Sequence, residues 1–307
     1  MKRRSLLAAA AAVLACAGLV SASAIADTAG SSFCTPAHTV QVDGNPVSTI
    51  SGECVTAPTV TVTVTTSPTT PTTTPTTGTT TTTPSNYLFD DEFNGPTGSL
   101  PSSTLWGVKT GSSNGSAHWN GWSQISENGQ GDLAITAQKI NGVWQSGFLS
   151  SKTAYSGSYR QEVRAKLACG QGVWNAPLWS WGAPYGASPS IEVDGNEQLG
   201  GQPQEYHATL HNWNGGTNPQ SGKPIMTGST LCNTWHVFAD NVYADHVDFY
   251  MDGTLEATIP ASAVGLTDLT VWREVSNIDL NMGGWAGTIG SETSATLLVD
   301  YIRVTPL

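Results

Sequence analysis

The chain has 307 residues, of which only 11% are charged, with 33 Gly, 17 Pro and 11 Trp. That composition excludes a coiled coil and matches a loop-rich β protein with room for one large domain and appendages. The formal net charge of -11 disfavours polyanionic partners, which argues against nucleic acid and against anionic membrane surfaces.

Met1 to Ser5 is basic, Leu6 to Val20 is apolar and Ala-rich, and small residues follow at Ala22, Ala24 and Ala26. This is the pattern of an export signal, residues 1–26, cleaved after Ala26. The apolar run is too short and too weakly flanked to read as a membrane span. A competing reading places a lipoprotein cleavage site before Cys16, but Leu14 is bulky for that signal. Of the 12 basic residues, the leader removes Lys2, Arg3 and Arg4, leaving 9 against 23 acidic ones. A secreted, extracellular protein is expected.

Cys34, Cys54, Cys169 and Cys232 remain after the leader, an even number in an oxidising compartment. Three connectivities are formally open. Cys34 with Cys54 and Cys169 with Cys232 is the expected pairing, because a long linker separates the first two from the others. A zinc site is the alternative, weakened by the absence of any Cys-x-x-Cys and by scattered histidines. Residues 27–57 form a small segment that needs its disulfide, being too short for an independent core. Residues 58–84 hold 17 Thr in 27 positions interspersed with Pro, a semi-rigid spacer with or without O-linked sugar.

From Ser85 the pattern changes to short alternating runs between Gly, Pro, Asn and Ser. Tyr159–Leu167, Tyr206–Asn212, His246–Met251 and Ala295–Val304 read as strands, and Asp252-Gly253 as a hairpin turn. No stretch keeps a helical period. Residues 85–307 are therefore expected to form one all-β domain, a sandwich or jelly roll.

One presumptive strand carries Ile191-Glu192-Val193-Asp194-Gly195-Asn196-Glu197. Alternation puts Glu192 and Asp194 on one face and Glu197 on the other, unless one bulged residue corrects the parity. Gly195-Asn196 is the natural place for that bulge, since Gly tolerates unusual backbone angles. Three carboxylates would then face one groove, the arrangement that a retaining glycosidase needs for a nucleophile and an acid/base. A solvated acidic strand and a calcium site are the alternatives. Trp174, Trp179 and Trp181 lie just upstream, Trp119 and Trp122 lie in a Gly/Ser/Asn-rich segment, and Trp285 lies in a Gly-rich turn. Aromatic faces beside carboxylates suit sugar rings, although each Trp taken singly is equally well placed in a core.

Phe89-Asp90-Asp91-Glu92-Phe93-Asn94-Gly95, Gly170-Gln171-Gly172-Val173-Trp174, the Glu192 to Glu197 motif, Thr209-Leu210-His211 and Leu298-Val299-Asp300-Tyr301-Ile302-Arg303-Val304 together resemble glycoside hydrolase family 16. The resemblance covers Tyr87 to Leu307. It implies a concanavalin-like jelly-roll β-sandwich and a retaining, endo-acting enzyme on β-1,3-glucan or mixed-linkage β-glucan. It assigns Glu192 as nucleophile, Asp194 as assisting acid and Glu197 as general acid/base. The bulged motif is closer to laminarinase-like members than to bacterial lichenases. No cofactor is implied for catalysis. A structural calcium at Glu92, the Gly131 carbonyl and Asp300 is implied, with ordinary edge polar groups as the alternative.

Trp119, Trp174, Trp179, His211 and Trp285 are the expected substrate-binding residues. The chain departs from the family at Gly195, where an aliphatic residue is usual, and around Trp174–Trp179 and Trp119–Gln124. Substrate identity is therefore less specified than chemistry. A neutral polysaccharide is the expected partner, with no nucleic acid, no membrane after leader removal and a monomeric state. A non-catalytic sugar-binding protein on the same fold, a transglycosylase and a β-galactan hydrolase are the competing functions.

Overall fold

A computed structural model of the chain describes residues 38–42, 45–50, 86–214 and 217–307. The expected leader, the Cys34–Cys54 pair and the Thr/Pro linker lie outside the described residues. The chain divides into two units, residues 1–79 and 80–307. In the first, strands β1 (His38–Val42) and β2 (Asn45–Ile50) form an antiparallel hairpin.

The second unit is a two-sheet sandwich. Its first sheet runs, in spatial order, β15 (Gln220–Met226), β14 (Glu205–Trp213), β13 (Ser190–Leu199), β12 (Val173–Gly182), β19 (Glu274–Met282), β10 (Phe148–Ser151) and β4 (Trp106–Val108). The opposing sheet runs β18 (Thr254–Pro260), β17 (His246–Met251), β16 (Trp235–Val242), β11 (Tyr159–Lys166), β20 (Ser294–Pro306), β8 (Leu133–Ile140), β9 (Val143–Ser146), β6 (His118–Asn120) and β5 (Thr110–Ser112). Two short strands flank it, β3 (Phe89–Asp91) on β20 and β7 (Ile125–Glu127) on β8. Pairing is antiparallel throughout except between β6 and β9. Among the described residues no α-helix occurs, only three short 3-10 turns.

Period-2 patterning explains the sandwich. On β11, Tyr159, Gln161, Val163 and Ala165 are buried, while the intervening Arg160, Glu162, Arg164 and Lys166 stay half-exposed. Ile191 and Val193 of β13, Leu210 of β14 and Ile278 and Leu280 of β19 meet Val163, Phe238 and Ile302 in one core. The Asp252-Gly253 turn joins β17 to β18 with both residues at positive φ, 49° and 79°, as a tight hairpin turn of this kind demands. Cys169 and Cys232 are disulfide-bonded across 63 residues.

The interior is not wholly apolar. Asp240 on β16 and Glu274 on β19 are completely buried, together with Tyr155, Gln161, Ser180 and Ser276. The Tyr155 hydroxyl donates to Gln161 Oε1 and lies 2.8 Å from Ser276 Oγ. Ser180 donates to Glu274. Neither carboxylate oxygen of Asp240 has a partner.

Candidate active site

Strand β13 carries the acidic motif, and its pairing with β14 shows how three carboxylates reach one face. Glu192 lies opposite His211 and Asp194 opposite Thr209, but the next pair is Glu197 with His207. Three steps on β13 therefore match two on β14, which is a β-bulge at Gly195-Asn196. The extra residue returns Glu197 to the face of Glu192 and Asp194. Gly195 itself turns towards the opposing sheet, where a Cβ would stand 2.7 Å from Asp240 Oδ2 and 2.7 Å from Leu178 Cδ2. An aliphatic side chain does not fit there. Neighbouring β12 has its own register shifts between Asn175 and Trp179.

Burial dominates the electrostatics. Glu192, Asp194 and Glu197 are all held well above the usual carboxylate range, chiefly because desolvation penalises their charged forms. Asp194 adds repulsion to both glutamates, and His211 opposes it. For Asp194 the further contributions come from Asp279 and Asp240. His211 Nε2 sits 3.0 Å from Asp194 Oδ2, and its Nδ1 lies 3.1 Å from Asn218 Oδ1. The Trp213 indole N–H donates to Glu192 Oε2 at 2.6 Å. One donor atom each from Glu192, Asp194 and His211 lies within 4.8 Å of the others. Because Trp213 and His211 already partner the two carboxylates, the cluster reads as a hydrogen-bonded chain rather than as a metal centre.

The aromatic residues form two tiers. Trp119, Phe148 and Trp179 are buried, with exposures of 5%, 0% and 6%, although Phe148 and Trp179 lie on the carboxylate-bearing sheet. Tyr185, in the turn between β12 and β13, covers them, its ring 5.1 Å from Phe148 and 5.8 Å from Trp179. Lys109 Nζ lies 3.5 Å from the Tyr185 ring centroid and 5.1 Å from those of Trp119 and Phe148. The Trp179 indole donates to Asp279 at 2.9 Å. Burial pushes Asp279 up to about 7, against the hydrogen bonds from Trp179 and Asn281 and the charge of Lys109. The second tier is half-exposed: Tyr185, Trp181, Trp213 and His211 follow one another at ring separations of 5.9, 5.4 and 5.7 Å.

Of the expected sugar-binding residues, His211 stands in the carboxylate cluster. Trp174 is buried to 9% exposure and packs edge-on against Trp285, which is 48% exposed and also touches His207. Trp119 and Trp179 support Tyr185 rather than presenting free faces. Tyr185, Lys109, Asp279 and Trp213 carry no motif that marks them in the sequence. For Trp213 a signal existed, since it lies two residues beyond His211 on one strand and so shares its face.

The residues expected to hold calcium are engaged otherwise. Both Glu92 oxygens accept from Arg303, at 2.7 and 2.8 Å, and Asp300 pairs with Arg164. This arrangement does not fit a calcium set, because each carboxylate is paired with a guanidinium.

A β-sandwich with a bulged, carboxylate-bearing strand under an aromatic-lined face is the architecture of a carbohydrate-active protein. The family described as "Glycosyl hydrolases family 16" matches residues 112–303, and the chain belongs to it. It is 26% identical over 260 residues to a protein of Niallia circulans named glucan endo-1,3-beta-glucosidase A1, covering 71% of this chain and 37% of that one. It is 30% identical over 166 residues to a beta-glucanase of Rhodothermus marinus, covering 47% of this chain and 56% of that one. The chain thus spans between a third and three fifths of these relatives' lengths. Among solved structures, the endo-beta-1,3-glucanase of Pyrococcus furiosus superposes with a TM-score of 0.61 at 24% identity, covering 71% of this chain and 93% of that one.

Proposed function

We propose that the protein is an exported, retaining endo-glycoside hydrolase of neutral β-glucan, with β-1,3-linked glucan as first substrate and mixed-linkage glucan as second. The bulge at Gly195-Asn196 carries this reading, because it alone brings Glu192, Asp194 and Glu197 to one face. Glu192 attacks the anomeric carbon while Glu197 protonates the departing oxygen, giving a glycosyl-enzyme ester. Glu197 then takes a proton from water, which releases the sugar and returns Glu192 as a carboxylate. The raised Glu197 suits a group that must hold a proton at the start of this cycle. Asp194, between them, couples to both.

The names of the relatives support a β-glucan, and the charge balance supports a neutral one, since sulfated or uronic chains call for many more cations. Secretion rests on the leader pattern of residues 1–26. The test is reducing-sugar release from laminarin, lichenan, curdlan, galactan, agarose, xyloglucan and carrageenan, with Glu192→Gln alongside. Laminarin or lichenan should lead, with early products in the β configuration by anomeric proton NMR and a loss of several orders of magnitude in the variant. Initial α products, or an active Glu192→Gln enzyme, would refute the mechanism.

A further inference from the structure

We infer that Trp213 is the positioning residue of the nucleophile, an assignment that rests on the glycosidase reading of Glu192. Among the described residues, its indole N–H makes the one hydrogen bond that the Glu192 carboxylate receives, to Oε2 at 2.6 Å. The ring cannot easily turn away. It stacks on His211 with centroids 5.7 Å apart and an interplanar angle of 11°, and it leans on Trp181 at 5.4 Å. His211 is fixed in turn by Asp194 and Asn218. Diagonal placement across the β13–β14 pair explains the contact, since Glu192 faces His211 and Trp213 stands two residues further along β14 on the same face.

The consequence is directional. With Oε2 tied to Trp213, Oε1 is the oxygen that bonds to the anomeric carbon as the bond to the departing sugar oxygen breaks and Glu197 supplies that oxygen's proton. The carboxylate charge disappears in the ester and reappears on Oε1 and Oε2 when water displaces it, its proton going to Glu197. A hydrogen bond to a charged acceptor is stronger than one to a neutral ester oxygen. Trp213 therefore favours the step in which Glu192 departs, and it favours the ionised nucleophile in the free enzyme. The groups facing Glu192 from around it are Asp194 and Glu197 on its own strand, His211 on β14 and Tyr185 from the turn before β13.

Trp213→Phe keeps a ring and removes the donor. On an activated aryl β-glucoside of suitable length, kcat should fall roughly 10- to 100-fold, the range expected for a hydrogen bond to a charged group. KM should stay level or fall, with a larger burst of released phenol, because the glycosyl-enzyme accumulates. The acidic limb of kcat/KM should move to higher pH. In the unmutated protein, the Trp213 indole N–H resonance should titrate together with Glu192, and Glu192→Gln should abolish that movement. Unchanged kcat and acidic limb in a folded Trp213→Phe protein, or an indole resonance indifferent to Glu192, would overturn the assignment. An inactive Glu192→Gln enzyme with a normal Trp213→Phe enzyme defeats this inference alone. A fully active Glu192→Gln enzyme defeats the glycosidase reading beneath it.

Discussion

Replacing Glu274 by Gln should change how stability depends on pH more than it changes stability in acid. Glu274 is completely buried on β19, with Ser180 donating to one oxygen and the other oxygen unpartnered. Burial is the main cause that raises its pKa from 4.5 to about 7, against the hydrogen bond from Ser180. A raised folded-state pKa means that the native protein holds this proton when the unfolded chain has released it. The stabilisation is thus fully present below about pH 4.5 and is lost as pH rises through about 7. Integrated over that window, the loss is about 3 kcal/mol from this one group. Gln carries no titrating proton and still offers Ser180 an acceptor. Urea unfolding at about pH 5 and about pH 8, with equal slopes against denaturant, gives the stabilities needed. The wild-type protein should lose more between the two conditions than Glu274→Gln by about 2.5 kcal/mol. Asp279 titrates in both proteins and cancels in the difference, whereas Asp240 is freed of the Glu274 charge in the variant, which adds to the difference in the same direction. Parallel stability curves for the two proteins would refute the account of Glu274 as a buried, neutralised acid.

Two further outcomes separate packing from binding. Trp285→Ala should raise KM on long glucan with little change in melting temperature, because the ring is 48% exposed, whereas Trp179→Ala should cost about 3–5 kcal/mol of stability, as for a buried aromatic, with its Asp279 hydrogen bond lost besides. Equal melting losses in the two variants would contradict the two-tier arrangement. Gly195→Ala should destabilise by about 1–3 kcal/mol through overpacking against Leu178 and Asp240, and denaturation within about 0.5 kcal/mol of wild type would show that the bulge accommodates a side chain.

The strands were legible wherever one face meets a core and the other meets water. Tyr159–Leu167 is observed as Tyr159–Lys166, and His246–Met251 is observed at those bounds. The bulge was legible too, for a different reason: three carboxylates in six residues make chemical sense on one face only, and Gly195 supplies the place for the extra residue. The aromatic residues were less readable. Stacking platforms and buried supports have the same composition, and what separates Trp179 from Trp181 is that Trp179 also packs on Phe148 and bonds to Asp279, neighbours brought by distant strands rather than by a period. Calcium was inferred from resemblance at Glu92 and Asp300, and their arginine partners lie elsewhere, Arg303 on β20 and Arg164 on β11.

Gly195 links the site to the interior behind it. A bulge places residues of one strand out of step with the sheet, and the side chain freed from pairing must go somewhere. Here the space that a side chain would take is held by Asp240 on the opposing sheet, whose carboxyl is disfavoured as an ion first by burial and then by Glu274. An aliphatic residue at 195 would need an aliphatic neighbour at 240. The polar interior of Gln161, Asp240, Glu274 and Ser276 and the glycine in the catalytic motif are therefore one feature seen from two sides. Asp240 raises Asp194 from behind the strand while Asp279 raises it from the front. Burial does most to hold Asp194 away from ionisation, and carboxylates on both faces of the sheet add to it, so that charge in the cleft depends also on the protonation of Asp279 and Asp240.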